Sequence, residues 1–205
     1  PSTGFIFEVI TDNTGTSEDN EFTIPLVNGV TYDCKVNNGD GTSGTIVGST
    51  ETAYTYQYPE GAGTYVITIT GIFPRINFNN GGDKLKIISI KNWGAGAWSS
   101  MQTAFFGCSN LVDEARDFPN LSAVLNANGA FRSATLWNGD WSSCDMSLAT
   151  DVGNMYFNAV AFNKPLPDLP AVIVLSNTLR STSFNQSIDN ITMLSWIKLL
   201  RTSFL

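Results

Sequence analysis

Residues 156–166 read YFNAVAFNKPL and residues 179–188 read LRSTSFNQSI. Each opens on a bulky residue, passes through small ones, reaches Phe-Asn and ends on another apolar side chain. Aligning the chain on that pair gives Trp137-Asn138, Phe162-Asn163 and Phe184-Asn185, at intervals of 25 and 22 residues. Four positions after each aromatic stands Trp141, Leu166 or Ile188, and three before it a small residue, Ala134, Ala159 or Ser181. Five or six before it stands Phe131, Tyr156 or Leu179. AFFGCSNL at 104–111 is a degenerate earlier copy, and LLRTSFL at 199–205 begins another.

Self-similarity at 20 to 30 residues signals a stack of units, each leaving apolar surface that only its neighbours cover. The spacing therefore predicts a solenoid whose core columns are Phe131, Trp137, Trp141, Tyr156, Phe162, Leu166, Leu179, Phe184 and Ile188. LSAVLNA (121–127), LATDVGNM (148–155), AVIVLSNT (171–178) and ITMLSWIKLL (191–200) each offer one short strand per unit, for a parallel ladder. Asn138, Asn163 and Asn185 are expected to cap turns, because a side-chain amide satisfies backbone groups where no regular ladder does.

These residues carry a resemblance. The run FRSATLWNGDWSSCDMSLATDVGNMYFNAVAFNKPL at 131–166 is similar to units of the BspA-type leucine-rich repeat family, related to Mycoplasma lipoprotein repeats. Cys144 replaces the usual Trp and Met146 the usual Thr. The resemblance spans roughly residues 85 to 205 and implies a leucine-rich-repeat-type solenoid; a last strand left unpaired at Leu205 is expected to be covered either by further repeats or by a partner.

The first part of the chain has a different texture. FIFEVI, EFTIPL, TYDCKV, AYTYQY and TYVITITG are rich in β-branched and aromatic residues and are separated by Gly, Asn, Asp and Ser clusters, the pattern of short antiparallel strands. Tyr65, Ile67 and Ile69 fall on one face of their strand, as do Tyr32, Cys34 and Val36. NNGDG at 37–41 reads as a tight turn, with Asp40 either forming that turn or ligating calcium. VNNGDGTSG followed by YTYQYPEGAGTYVITITG resembles PKD-type β-sandwich domains, which implies an immunoglobulin-like sandwich. The fold expected is mainly β: a PKD-like sandwich over 1–74, then a BspA-like solenoid over 75–205.

Composition excludes several functions. Only 14% of residues are charged, the net charge is −7, and Lys and Arg are scattered singly, so no basic stripe for a nucleic-acid backbone is apparent. No apolar run approaches the roughly 20 residues that span a bilayer. The chain has no His, which removes Ser-His-Asp and Cys-His catalysis. No phosphate-cradling glycine motif is present. Cys34, Cys108 and Cys144 are far apart and read as small core residues. Ser195 and Lys198 match Ser-x-x-Lys without its companion motifs, and Asp140, Asp145 and Asp151 are carboxylates of the kind a glycosidase pairs, here placed where Asp caps turns. Trp93 and Trp98 flank GAGA at 94–97 and read either as a core cap or as an exposed ligand platform.

The expectation is a noncatalytic protein without cofactor or metal. The combined resemblance, a PKD-like part followed by these repeats, is to surface proteins of bacteria and phages. It implies a location on a virion surface or an extracellular cell surface, as a decoration protein or an adhesin. The expected partners are other protein chains or a host-surface glycan or protein.

Overall fold

The computed structural model describes residues 4–188. Eight strands form in order: β1 (Phe5–Ile10), β2 (Glu21–Pro25), β3 (Tyr32–Asn37), β4 (Ser43–Gly48), β5 (Ala53–Gln57), β6 (Thr64–Ile72), β7 (Ile87–Asn92) and β8 (Val112–Asp113). One sheet runs β4-β3-β6-β1-β7-β8 and a second pairs β2 with β5. The described residues are mainly β and contain no helix.

Alternation sets the faces. In β3 the pattern buries Tyr32, Cys34 and Val36 and exposes Asp33, Lys35 and Asn37, as the period-two spacing requires. In β6, Ile67 and Ile69 are buried with Tyr65 half-buried on the same face. The second sheet turns Phe22 and Ile24 inward, and Phe22 meets Phe7 of β1 at a ring separation of 5.9 Å. Tyr32 ties the loops, its hydroxyl accepting the Val27 N–H at 3.1 Å and donating to the Arg75 carbonyl at 3.0 Å.

Three strands, β4, β7 and the two-residue β8, lie outside the sequence expectation. β4 is made of SGTIVG, whose Gly and Ser hide a strand that antiparallel pairing with β3 nonetheless forms. β7 follows residue 75 yet pairs antiparallel with β1, and it then receives β8 in parallel, so one sheet holds residues from both sides of that position. The buried apolar residues likewise form one cluster from Phe5 to Leu175.

A charged clasp holds the long β1–β2 connection. Asp83 and Lys86 are both buried. Asp83 accepts the N–H groups of Thr16, Ser17 and Thr23 and the Ser17 hydroxyl. Lys86 Nζ donates to the carbonyls of Ser17, Glu18 and Glu21 and to Ser17 Oγ, at 2.8 to 3.1 Å. Burying two charges is tolerated only when their hydrogen-bonding capacity is filled in this way.

Beyond β7 the chain is organised by turns. The strand expected in each unit is absent as a strand: the β-type pairing of LSAVLNA, LATDVGNM and AVIVLSNT is confined to single bridges, Asn126 to Asp151 and Asp151 to Val174. The fourth, at 191–200, lies outside the described residues. In place of a strand, each unit carries a seven-residue run, 101–107, 127–133, 152–158 and 175–181. Within a run, alternate N–H groups close local three-residue turns, as Ala130 to Ala127, Arg132 to Gly129, Met155 to Val152 and Phe157 to Asn154. The intervening N–H groups point along the stack: Gly129 to Gly153, Phe131 to Met155 and Ser133 to Phe157, then Asn154 to Ser176, Tyr156 to Thr178 and Asn158 to Arg180. Every second residue of the zigzag thus serves the next unit.

Such a path needs left-handed backbone at a four-residue spacing. Positive φ occurs at Thr103 and Gly107, Gly129 and Ser133, Asn154 and Asn158, and Asn177 and Ser181. Gly and Asn enter this region most readily. Extended strands would leave no left-handed positions, which is why a strand-based reading of these segments fails. In the last unit the small core position is Thr182, whose hydroxyl bonds the Leu179 carbonyl. Ser181 takes the left-handed place of Ser133 and Asn158 instead.

Candidate functional site: the stacked face and its acidic cleft

The aromatic columns form as the spacing requires. Phe105, Phe131 and Tyr156 stack in succession, at 5.5 and 5.9 Å with interplanar angles of 6° and 4°. A second column lies beside them: Trp137 stacks on Phe131 at 3.8 Å, Phe162 on Tyr156 at 3.7 Å, and Phe184 on Phe162 at 6.2 Å. Phe131, Trp137, Trp141, Tyr156, Phe162 and Leu166 are buried, while Leu179, Phe184 and Ile188 are partly buried against the same core.

The side chains of Asn138 and Asn163 satisfy a backbone group of the next unit rather than of their own turn. Asn138 Oδ1 accepts the Asn163 N–H at 2.8 Å, and Asn163 Oδ1 accepts the Asn185 N–H at 3.0 Å. They form a side-chain ladder from unit to unit, outside the aromatic columns.

Trp93 and Trp98 are 1% and 2% exposed, so neither presents a face to a ligand. The platform alternative is thereby replaced by the core one. Trp93 sits where β7 ends, and its ring meets Phe5, Trp98, Phe105, Trp137 and Trp141 within 6.2 Å. Its N–H and that of Gly94 bond the Asp117 carboxylate at 2.9 and 2.8 Å.

The three candidate carboxylates each accept an N–H two residues onward: Asp140 from Ser142, Asp145 from Ser147 and Asp151 from Gly153. Asp151 also takes the Asn128 amide. Asp140 lines a cleft of about 270 Å³, where Asp113, Asp117, Arg116, Lys164 and Phe118 also converge. Ser195 and Lys198 lie outside the described residues. Asp40 is occupied within its turn, accepting the Thr42 N–H and hydroxyl and the Tyr56 hydroxyl.

Asp113 is the residue that sequence reasoning missed. It occupies the column that continues as Gly139 and Lys164, two places beyond Leu111, Trp137 and Phe162. A Cβ at Gly139 would run into Asp113 Oδ2 and the Trp137 ring, so only glycine leaves room there for the carboxylate. Burial pushes the Asp113 carboxyl up to about 6, with Asp117 and Asp140 adding repulsion against the Ala115 N–H, which favours the anion.

A carboxyl raised on folding holds its proton more tightly in the native state. Its anion therefore opposes folding above about pH 6, and this opposition is relieved as the pH falls toward the ordinary aspartate range. Asp113→Asn is expected to raise the thermal midpoint at pH 7.5 and to leave it nearly unchanged at pH 4. Equal midpoints for variant and parent at both pH values would refute this account of Asp113.

The family described as "Mycoplasma protein of unknown function, DUF285" matches residues 76–191. No curated protein and no solved structure matches the chain.

Proposed function

We propose, from the premise that the chain belongs to the DUF285 family, that it is a noncatalytic surface protein whose stacked units present an outward face to a macromolecular partner. In this reading the part before residue 75 is a PKD-like sandwich used for attachment. The part from 75 onward is a BspA-like leucine-rich-repeat solenoid used for display, packing or recognition. The surface carrying it is that of a virion, where the chain acts as a decoration protein.

One observation supports a binding face above all. Leu125, Thr150 and Ile173 hold equivalent places in successive units; Leu125 and Ile173 are 56% and 55% exposed there, and Leu148, 51% exposed, lies two residues before Thr150. Backbone bonds from Thr150 to the Leu125 carbonyl and from Ile173 to the Thr150 carbonyl bring these segments side by side. An open row in which two of three places, and a neighbour of the third, are apolar and exposed favours contact with another macromolecule.

The bacterial adhesin is the second reading, favoured by the family's Mycoplasma description. Quantitative mass spectrometry of purified particles and of cell envelopes separates the two. Many stoichiometric copies on the particle are expected; recovery from the envelope alone moves the assignment to an adhesin, and recovery from neither sinks both.

A further inference from the structure

The four runs carry an outward stripe distinct from the apolar row. Phe106, Arg132, Phe157 and Arg180 occupy equivalent places, because their carbonyls accept the N–H groups of Asn80, Gly107, Ser133 and Asn158 in turn. Arg132 lies between two rings, its guanidinium 4.8 Å from Phe106 and 5.2 Å from Phe157, and Arg180 covers Phe157 from the other side at 5.7 Å. At the head of the stripe, Lys84 Nζ donates to the carbonyl and side chain of Asn80, and its stem lies against Gly107. Cation and phenyl ring thus alternate along the stack.

The stripe is built to receive an anion. Runs 101–107, 127–133, 152–158 and 175–181 contain no Asp or Glu, although the chain has 18. Among the described residues the ion pairs are those of Lys91 with Glu8 and Glu114, so no carboxylate neutralises Lys84, Arg132 or Arg180. Stacking on phenyl rings holds the guanidinium plane still, so little freedom is lost when its donor fork closes on an oxyanion.

Spacing selects the kind of anion. Neighbouring segments in such a ladder lie about 4.8 Å apart, so cations on alternate units are separated by roughly 10 Å. A nucleic-acid duplex places a charge every ~1.7 Å of its axis, far too densely for one cation per two units. In an extended linear polyuronate successive sugars turn their acid groups to opposite sides, so the successive acid groups on the side facing the protein stand on every second sugar, a sparser and regular charge. Its intervening hydroxyls would meet Ser133, Asn154, Asn158, Asn177 and Ser181, short polar side chains beside the stripe.

We infer that this stripe binds an extended carboxylated polysaccharide, with Arg132 and Arg180 gripping successive acid groups. The inference rests on the surface-protein reading and names its partner. Binding of the full chain to polygalacturonate is measured by biolayer interferometry at low and at physiological salt, with neutral dextran, poly-glutamate and duplex DNA as comparators. The expected result is binding to polygalacturonate that weakens with salt. It falls about tenfold or more in Arg132→Gln/Arg180→Gln, by loss of charge-assisted hydrogen bonds. It is unchanged in Lys35→Gln, a substitution on the exposed face of β3.

Arg180→Gln alone, at an exposed side chain, guards against a folding defect and is expected to lose affinity with an unchanged thermal midpoint. Absence of polygalacturonate binding, undiminished binding by the double variant, or tighter binding of dextran, poly-glutamate or DNA overturns the inference. If the chain is still recovered from particles or envelopes in that event, the surface-protein reading stands without this partner.

Discussion

Trp93→Ala is expected to lower the stability of the whole chain by about 3 to 5 kcal/mol, the usual range for deleting a large buried aromatic. For a chain of this size that corresponds to a fall in thermal midpoint of roughly 10 °C. The cause is position. Trp93 touches Phe5 of β1 on one side and Phe105, Trp137 and Trp141 of the stacked units on the other, so its removal opens a cavity shared by both. Urea unfolding followed by far-ultraviolet circular dichroism checks the magnitude. A loss below about 1 kcal/mol would mean that the surrounding rings collapse into the space.

Lys86→Met should cost about as much for a different reason. Methionine fills most of the volume but leaves the carbonyls of Ser17, Glu18 and Glu21 without a donor, and it removes the cation that shares Ser17 Oγ with the buried Asp83 carboxylate. Removing one partner of a buried charged network typically costs about 3 to 5 kcal/mol. Limited proteolysis adds a local readout, since residues 11–20 are held by this clasp and should become the first site of cleavage. A variant as stable and as resistant as the parent would show that water replaces the ammonium without penalty.

Much of this arrangement is legible in the sequence. The period-two alternation of β3 and β6 fixes their faces, and the recurring aromatic-Asn pairs place Phe131, Trp137, Tyr156 and Phe162 in their columns. What escaped has physical causes. β4 holds only Thr-Ile-Val between Ser-Gly and Gly, too short a run to stand out, and its pairing with β3 makes it a strand. The four-residue spacing of left-handed Gly, Asn, Ser and Thr is visible but is disguised by β-forming neighbours such as Val152 and Val174. Asp113 is invisible because its environment comes from Gly139 and Trp93, 26 and 20 residues away. The guanidinium–phenyl alternation escaped because Phe106, Arg132, Phe157 and Arg180 are different residue types at equivalent places, and a search for sameness passes over them.

The division of labour among N–H groups in the seven-residue runs has an evolutionary consequence. Because alternate amides are committed to the adjoining unit, a run cannot gain or lose a single residue without sending its donors inward and its aromatics outward. The returning segments between runs carry no such parity. Insertions and deletions accumulated over time should therefore collect in the return paths, letting units differ in total length while their hydrogen-bonded edges stay in phase.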